Sequence, residues 1–384
     1  MTGSIYSIME KQLNIKMISD AMSELGFNQA GLSQKMGVSR TIVSSWLKGT
    51  KFPRPDKLLR LGHELNLPFQ KLVLKSLSDK EPVIAFRKKG GTITKGIHLE
   101  KAKEIGQLLE LLAPYIANDK YFQPPALKKP KQQYRYIHKV AARVRSELGI
   151  SNDSPIEFSK IIDKINEFEA ILVPVFHGNK DNHENALHIF LPSSKTTWIY
   201  LNLDAKIHDF KFYMAHELGH VLSPSLRGNE AEDFADAFAQ AFLFSEDLAK
   251  VTYYELKRLK KTRTKIKKIL ELSEKLTISP ITIYKSVISY AVEYGEDTII
   301  LDPDIYAVSQ NFNKQYDNVS ETISNNETLS AKQYIDVTNR IFKSQFFDIL
   351  RLYLSENEKS AGFVQSILDT SFLDAREIHA KLVN

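Results

Sequence analysis

The 384-residue sequence has no cysteine. This excludes disulfides and any thiolate metal site, and it suits a reducing compartment. It also has no apolar run approaching the roughly 20 residues of a membrane-spanning helix, so no membrane partner is expected. Near the N-terminus, Glu10 and Lys11 interrupt short apolar patches where a secretory signal would carry an unbroken core. The expected location is therefore cytoplasmic.

Charge of one sign is also scarce outside a single segment. Residues 1–80 hold twelve Lys and Arg against six Asp and Glu, while the other 304 residues carry forty of each. The whole net charge of +6 thus belongs to the N-terminal segment, which is where a nucleic-acid partner is expected. Apolar content of 43% and charged content of 26% are ordinary for a globular chain. The length suffices for two or three domains with their own cores.

The basic segment reads as a bundle of short helices. A first helix runs from Asn14 to Leu25. Asn28 is placed to cap Gln29–Met36, and Gly37 to stop it. Ser39 then caps a helix from Arg40 to Lys48. Asp56–Leu65 and Phe69–Leu74 complete the set. Two helices joined through Gly37-Val38-Ser39 make a helix-turn-helix. In the second of them Ile42, Val43 and Trp46 are apolar anchors, and Ser39, Arg40, Thr41, Ser44 and Lys48 offer polar groups suited to base edges and phosphates. Gln29, at the start of the preceding helix, joins them as a candidate contact. The run Gly37-Val38-Ser39-Arg40-Thr41-Ile42-Val43-Ser44-Ser45-Trp46 resembles the XRE/Cro-type helix-turn-helix of phage repressors. The resemblance implies a double-stranded operator with paired half-sites, and with it a homodimer. The competing reading is a bundle used for protein contact.

A second motif lies far downstream. In Met214-Ala215-His216-Glu217-Leu218-Gly219-His220, the two histidines are four residues apart. On a helix this spacing puts both imidazoles on one face, where they can share a metal ion. Glu217 stands beside them as a candidate general base for water. Apolar residues on the other faces mark a core helix, and Gly219 leaves room for a close neighbour. The following helix, beginning near Asn229, carries an apolar stripe of Ala231, Phe234, Ala235, Phe238, Ala241 and Phe242. Glu232 and Asp236 lie one turn apart next to that stripe. Glu232 is the candidate third ligand, and Asp236 the candidate hydrogen-bond partner of a ligating histidine. Two histidines and a glutamate bind several divalent ions, Zn²⁺ foremost. The competing reading is that these carboxylates only favour a helix N-terminus.

His216-Glu217-Leu218-Gly219-His220 followed by Glu232-x-x-Ala235-Asp236-x-Phe238-Ala239 resembles the ImmA/IrrE family of metallopeptidases. The likeness spans roughly residues 135–250. It implies a zinc-dependent endopeptidase with an α+β, zincin-like fold, acting in relatives on a repressor protein. One departure is Phe244-Ser245, where the family commonly has Met-Pro.

The expected architecture is therefore multidomain. Residues 1–76 form the all-α helix-turn-helix bundle, and 77–133 a linker with a short helical segment. Residues 134–295 form the α+β metallopeptidase domain with a small sheet, and 296–384 an accessory helical region. Strands are expected over 170–176, 186–191 and 197–203, with a short separate strand near 81–87. His177, His183 and His188 are noted near these strands and left outside the site. Two functional readings remain open: a peptidase that cleaves a regulatory protein, and a regulator that uses the peptidase fold as a sensor or scaffold.

Overall fold

The computed structural model describes residues 13–48, 51, 53–67, 72, 82–86, 96–116, 126–175, 186–325 and 327–383. The chain divides into two compact units, Met1–Glu81 and Pro82–Asn384.

In the first unit, α1 (Ile15–Glu24), α2 (Gln29–Met36), α3 (Arg40–Leu47) and α4 (Pro55–Glu64) enclose a small core. Each helix starts where local chemistry permits. Asn14 accepts a hydrogen bond from Met17 N, Asn28 from Gly31 N, and Ser39 from Ile42 N. α4 instead opens with Pro55 in its first turn. Gly37 ends α2 at φ 60°, a left-handed position that glycine adopts at no steric cost. Val43 and Trp46 bury one face of α3 against Leu32, Met36 and Leu58. The helix expected over 69–74 lies outside the described residues, apart from Leu72.

The second unit is mostly helical, around one four-stranded sheet of order β1-β3-β4-β2: β1 (Val83–Phe86), β2 (Ile171–Val175), β3 (Ala186–Leu191) and β4 (Thr196–Asn202). β3 is antiparallel to both β1 and β4, while β2 and β4 are parallel. α5 (Gly96–Leu112), α6 (Tyr134–Glu147) and α7 (Phe158–Glu167) precede β2. β4 leads into α8 (Ile207–Leu222) and α9 (Gly228–Leu243), followed by α10 (Glu246–Arg258), α11 (Thr262–Leu276) and α12 (Pro280–Glu293). Ser245, at the departure from Met-Pro, accepts a hydrogen bond from Leu248 N and so caps α10.

The central pair is α8 and α9. Phe234, Phe238 and Phe242 stack along α9 with centroids 6.4 and 5.4 Å apart and no exposed surface. Burying each contributes roughly 1.5–3 kcal/mol. Two buried cations tie the pair to its surroundings by capping carbonyls. Arg145 on α6 donates to Phe242 O at 2.7 Å, and Lys211 on α8 donates to Leu276 O at 2.8 Å. Burial pushes Lys211 down to about 8 and Arg145 down to about 10.

Two expected divisions are absent. The stretch read as a linker supplies β1 and α5, and its end runs along the α8–α9 turn. There Leu127 N donates to Leu222 O and Gln132 Nε2 to Glu230 O. Its Lys, Gly and Pro content gives no local sign of these pairings, which all reach more than 90 residues along the chain. The region after 295 is likewise no appendage. α13 (Asp304–Asn313), α14 (Val319–Ser324), α15 (Ala331–Phe342), α16 (Phe346–Glu356), α17 (Ala361–Leu368) and α18 (Phe372–Val383) share the core of the sheet. Tyr334 Oη donates to Pro174 O at 2.5 Å, Tyr200 Oη to Ile367 O at 2.9 Å, and Val319 N to Ala205 O at 2.9 Å. Parallel β2 and β4 need cover on both faces, and these helices supply part of it.

Candidate functional site

α8 and α9 cross closely because residue 219 is glycine. A Cβ there would meet Ala235 Cα at 2.8 Å and Ala235 Cβ at 3.2 Å. The small residues let the turns bearing His216, His220 and Glu232 face one another. His216 Nε2 lies 3.0 Å from His220 Nε2 and 3.4 Å from Glu232 Oε2, and His220 Nε2 lies 3.5 Å from Glu232 Oε1. Four-coordinate zinc with bonds near 2.0–2.1 Å separates its ligand atoms by about 3.3 Å. The three side chains therefore fit one ion, as their clustering indicates. Both histidines are buried and Glu232 is half-buried.

Asp236 Oδ1 sits 2.8 Å from His216 Nδ1, on the far side of the ring from Nε2, which fixes the ring's orientation and leaves Nε2 toward the triad. Burial works against charge on His216. Hydrogen bonds donated to Asp236 and Glu232 overcome it and raise its pKa to about 9. His220 is driven well below its usual value by burial and by the neighbouring His216 and His188. Where two imidazoles and a carboxylate crowd this closely, one positive charge is favoured and two are not. A divalent cation answers the same need with more charge.

Glu217 is not one of the three clustered ligands and is 1% exposed. Its Oε2 stands 3.3 Å from His188 Nδ1, and neither atom has a well-formed hydrogen bond among the described residues. The His188 ring also packs 5.3 Å from His220. His188, noted in the sequence but left outside the site, is thus brought to the site by β3. A strand residue on an alternating pattern carried the only signal, and a lone histidine there is ordinarily a core residue. His177 and His183 lie outside the described residues. Glu230 and Asp233, the other acids of the α9 N-terminus, are exposed and not among the clustered residues.

In the first unit the expected DNA-facing groups lie where a duplex can reach them. Ser39, Arg40, Thr41 and Lys48 are exposed, and Gln29 and Ser44 half-buried. Ser39 spends its hydroxyl on the cap of α3. Lys48 follows the helix as its C-terminal cap residue.

Residues 18–72 match the family model described as Helix-turn-helix. No curated protein matches the chain. The crystal structure of Bacillus thuringiensis PlcR in complex with the peptide PapR7 and DNA aligns over 96% of this chain and 98% of that one. Its sequence identity is 14% and the TM-score 0.16, too low for a shared overall fold to follow. No described helix is long and apolar enough to cross a membrane. The N-terminal unit carries a helix-turn-helix domain of the DNA-binding kind.

Proposed function

We propose that the chain is a cytoplasmic transcriptional regulator that joins a duplex-DNA-binding domain to a zinc-dependent endopeptidase of ImmA/IrrE type, with a regulatory protein, such as a repressor, as substrate. The observation that carries the reading is the ligand triangle of His216, His220 and Glu232 set beside a buried carboxylate that is not part of it. A structural metal site needs the triangle. It has no need of Glu217, a carboxylate whose burial costs free energy.

Zinc held by the three side chains would supply Lewis acidity toward water and the scissile carbonyl. The remaining work falls to the chain's own groups. Glu217 takes a proton from the attacking water and returns it to the leaving amine. Asp236 keeps His216 in the tautomer that presents Nε2. Leu218, Phe234 and Phe238, all without exposed surface, keep the back of the site dry.

Zinc-loaded full-length protein should hydrolyse an unstructured protein probe such as denatured casein. Glu217→Gln should retain zinc and lose roughly 10²–10⁴-fold in turnover. Equal turnover in the two proteins would remove Glu217 from the chemistry. Zinc binding without cleavage by either would leave the metal as a sensor or scaffold.

A further inference from the structure

β1 is an edge strand of four residues, and it covers the side of β3 that would otherwise be free. It runs antiparallel to β3, with Ile84 opposite Ile189 and Ala85 opposite His188. His188 is the residue whose ring meets His220 and whose Nδ1 faces Glu217. Val83 and Ile84 also line one cleft together with His220 and Glu232. An extended peptide adding to β3 by backbone pairing would thus lie above the metal ligands, and β1 already holds that path.

β1 also contributes little to the core. Val83 and Ile84 are half-buried, whereas Ile189, Trp198 and Ile199 on the strands behind it are fully enclosed. A strand this short, paired on one side, is held by a few ladder bonds and by its entry point. That entry is Pro82, against which Gly106 of α5 packs so closely that a Cβ at 106 would meet the proline ring at 2.6 Å.

We propose that β1 is the chain's own stand-in for substrate: the edge of β3 is a docking site for an extended apolar peptide, and a protein substrate reaches the metal site by displacing residues 83–86. The substrate class follows from the occupant. Val83-Ile84-Ala85-Phe86 is an uncharged, β-favouring segment, so an extended apolar stretch is what the edge accepts. The inference rests on the peptidase reading above.

The test uses full-length protein with zinc, and two variants outside the triad and Glu217. Ala85→Pro breaks the pairing opposite His188, and Gly106→Ala shifts Pro82 and the strand behind it. Both variants should cleave denatured casein faster than the wild type, on the order of tenfold, because the competent state is no longer a minor one. Hydrogen exchange gives a readout that does not depend on activity. Those amides of residues 187–190 that face β1 rather than β4 should exchange faster in Ala85→Pro, and a synthetic peptide of residues 82–86 added in trans should restore their protection and inhibit cleavage. Variants that bind zinc yet cleave no faster than an active wild type, or a peptide that restores no protection, would overturn the inference while leaving the peptidase reading intact. Zinc-bound wild type and variants that all fail to cleave, with peptide protection restored, would sink the peptidase reading and keep the docking edge.

Discussion

His208 shows how much one side chain on α8 can matter. It is 1% exposed, packed against the rings of Phe312 and Tyr316, and its Nδ1 has no hydrogen-bond partner among the described residues. Burial, with Lys211 nearby, lowers its pKa to about 4. The unfolded chain binds a proton at about 6.5. Between those values the unfolded state holds the extra proton, so stability falls as pH falls through that window and is fully present above it. From pH 7 to pH 5 this one residue should cost about 2 kcal/mol. Urea unfolding of wild type and His208→Phe at both pH values checks it, the variant losing less by about that amount. His138 and His220 are also lowered by burial and add loss of the same sign, which is why the comparison needs the variant. At this scale the candidate site was largely legible. His216, Glu217, His220, Glu232 and Asp236 stand at helical spacings that a sequence displays directly. His188 was not legible, because its approach to Glu217 depends on how β3 lies across α8, and no local spacing records that.

Among the elements, the α8–α9 pair decides whether the ligands meet. Gly219→Ala must push Ala235 away by several tenths of an ångström, and Glu232 and Asp236 ride on the same helix. We expect a loss of about 1–3 kcal/mol in stability, together with weaker zinc binding in a chelator competition. Stability loss with unaltered zinc affinity would mean that the triangle tolerates helix displacement. The sequence displayed this pair well, since an apolar stripe and a glycine on facing turns are periodic signals. It showed β1 as a short strand but hid its pairing, because the partner strand lies about a hundred residues away. The C-terminal helices were legible as helices but not as members of the core. Amphipathic periodicity tells that a face is buried, and is silent on what buries it.

At the scale of the whole molecule, the charge excess and the candidate metal site lie in different compact units. Duplex binding by the full chain should therefore follow the first unit. Lys48→Ala should weaken binding across sequences and reduce the salt slope by about one, and Ser44→Ala should relax preference for the operator. Titrations against a specific and a random duplex at several salt concentrations separate the two effects. Wild type with no salt-dependent affinity for either duplex would point to protein contact by this bundle instead. The account as a whole stands on the metal centre. Elemental analysis of purified full-length protein, wild type beside His216→Ala, His220→Ala, Glu232→Ala and Glu217→Gln, tests it most directly. The expected result is about one zinc per chain in wild type and Glu217→Gln, and loss of zinc in the other three. Wild type without zinc after incubation with the ion, or full zinc retention in Glu232→Ala, would contradict it.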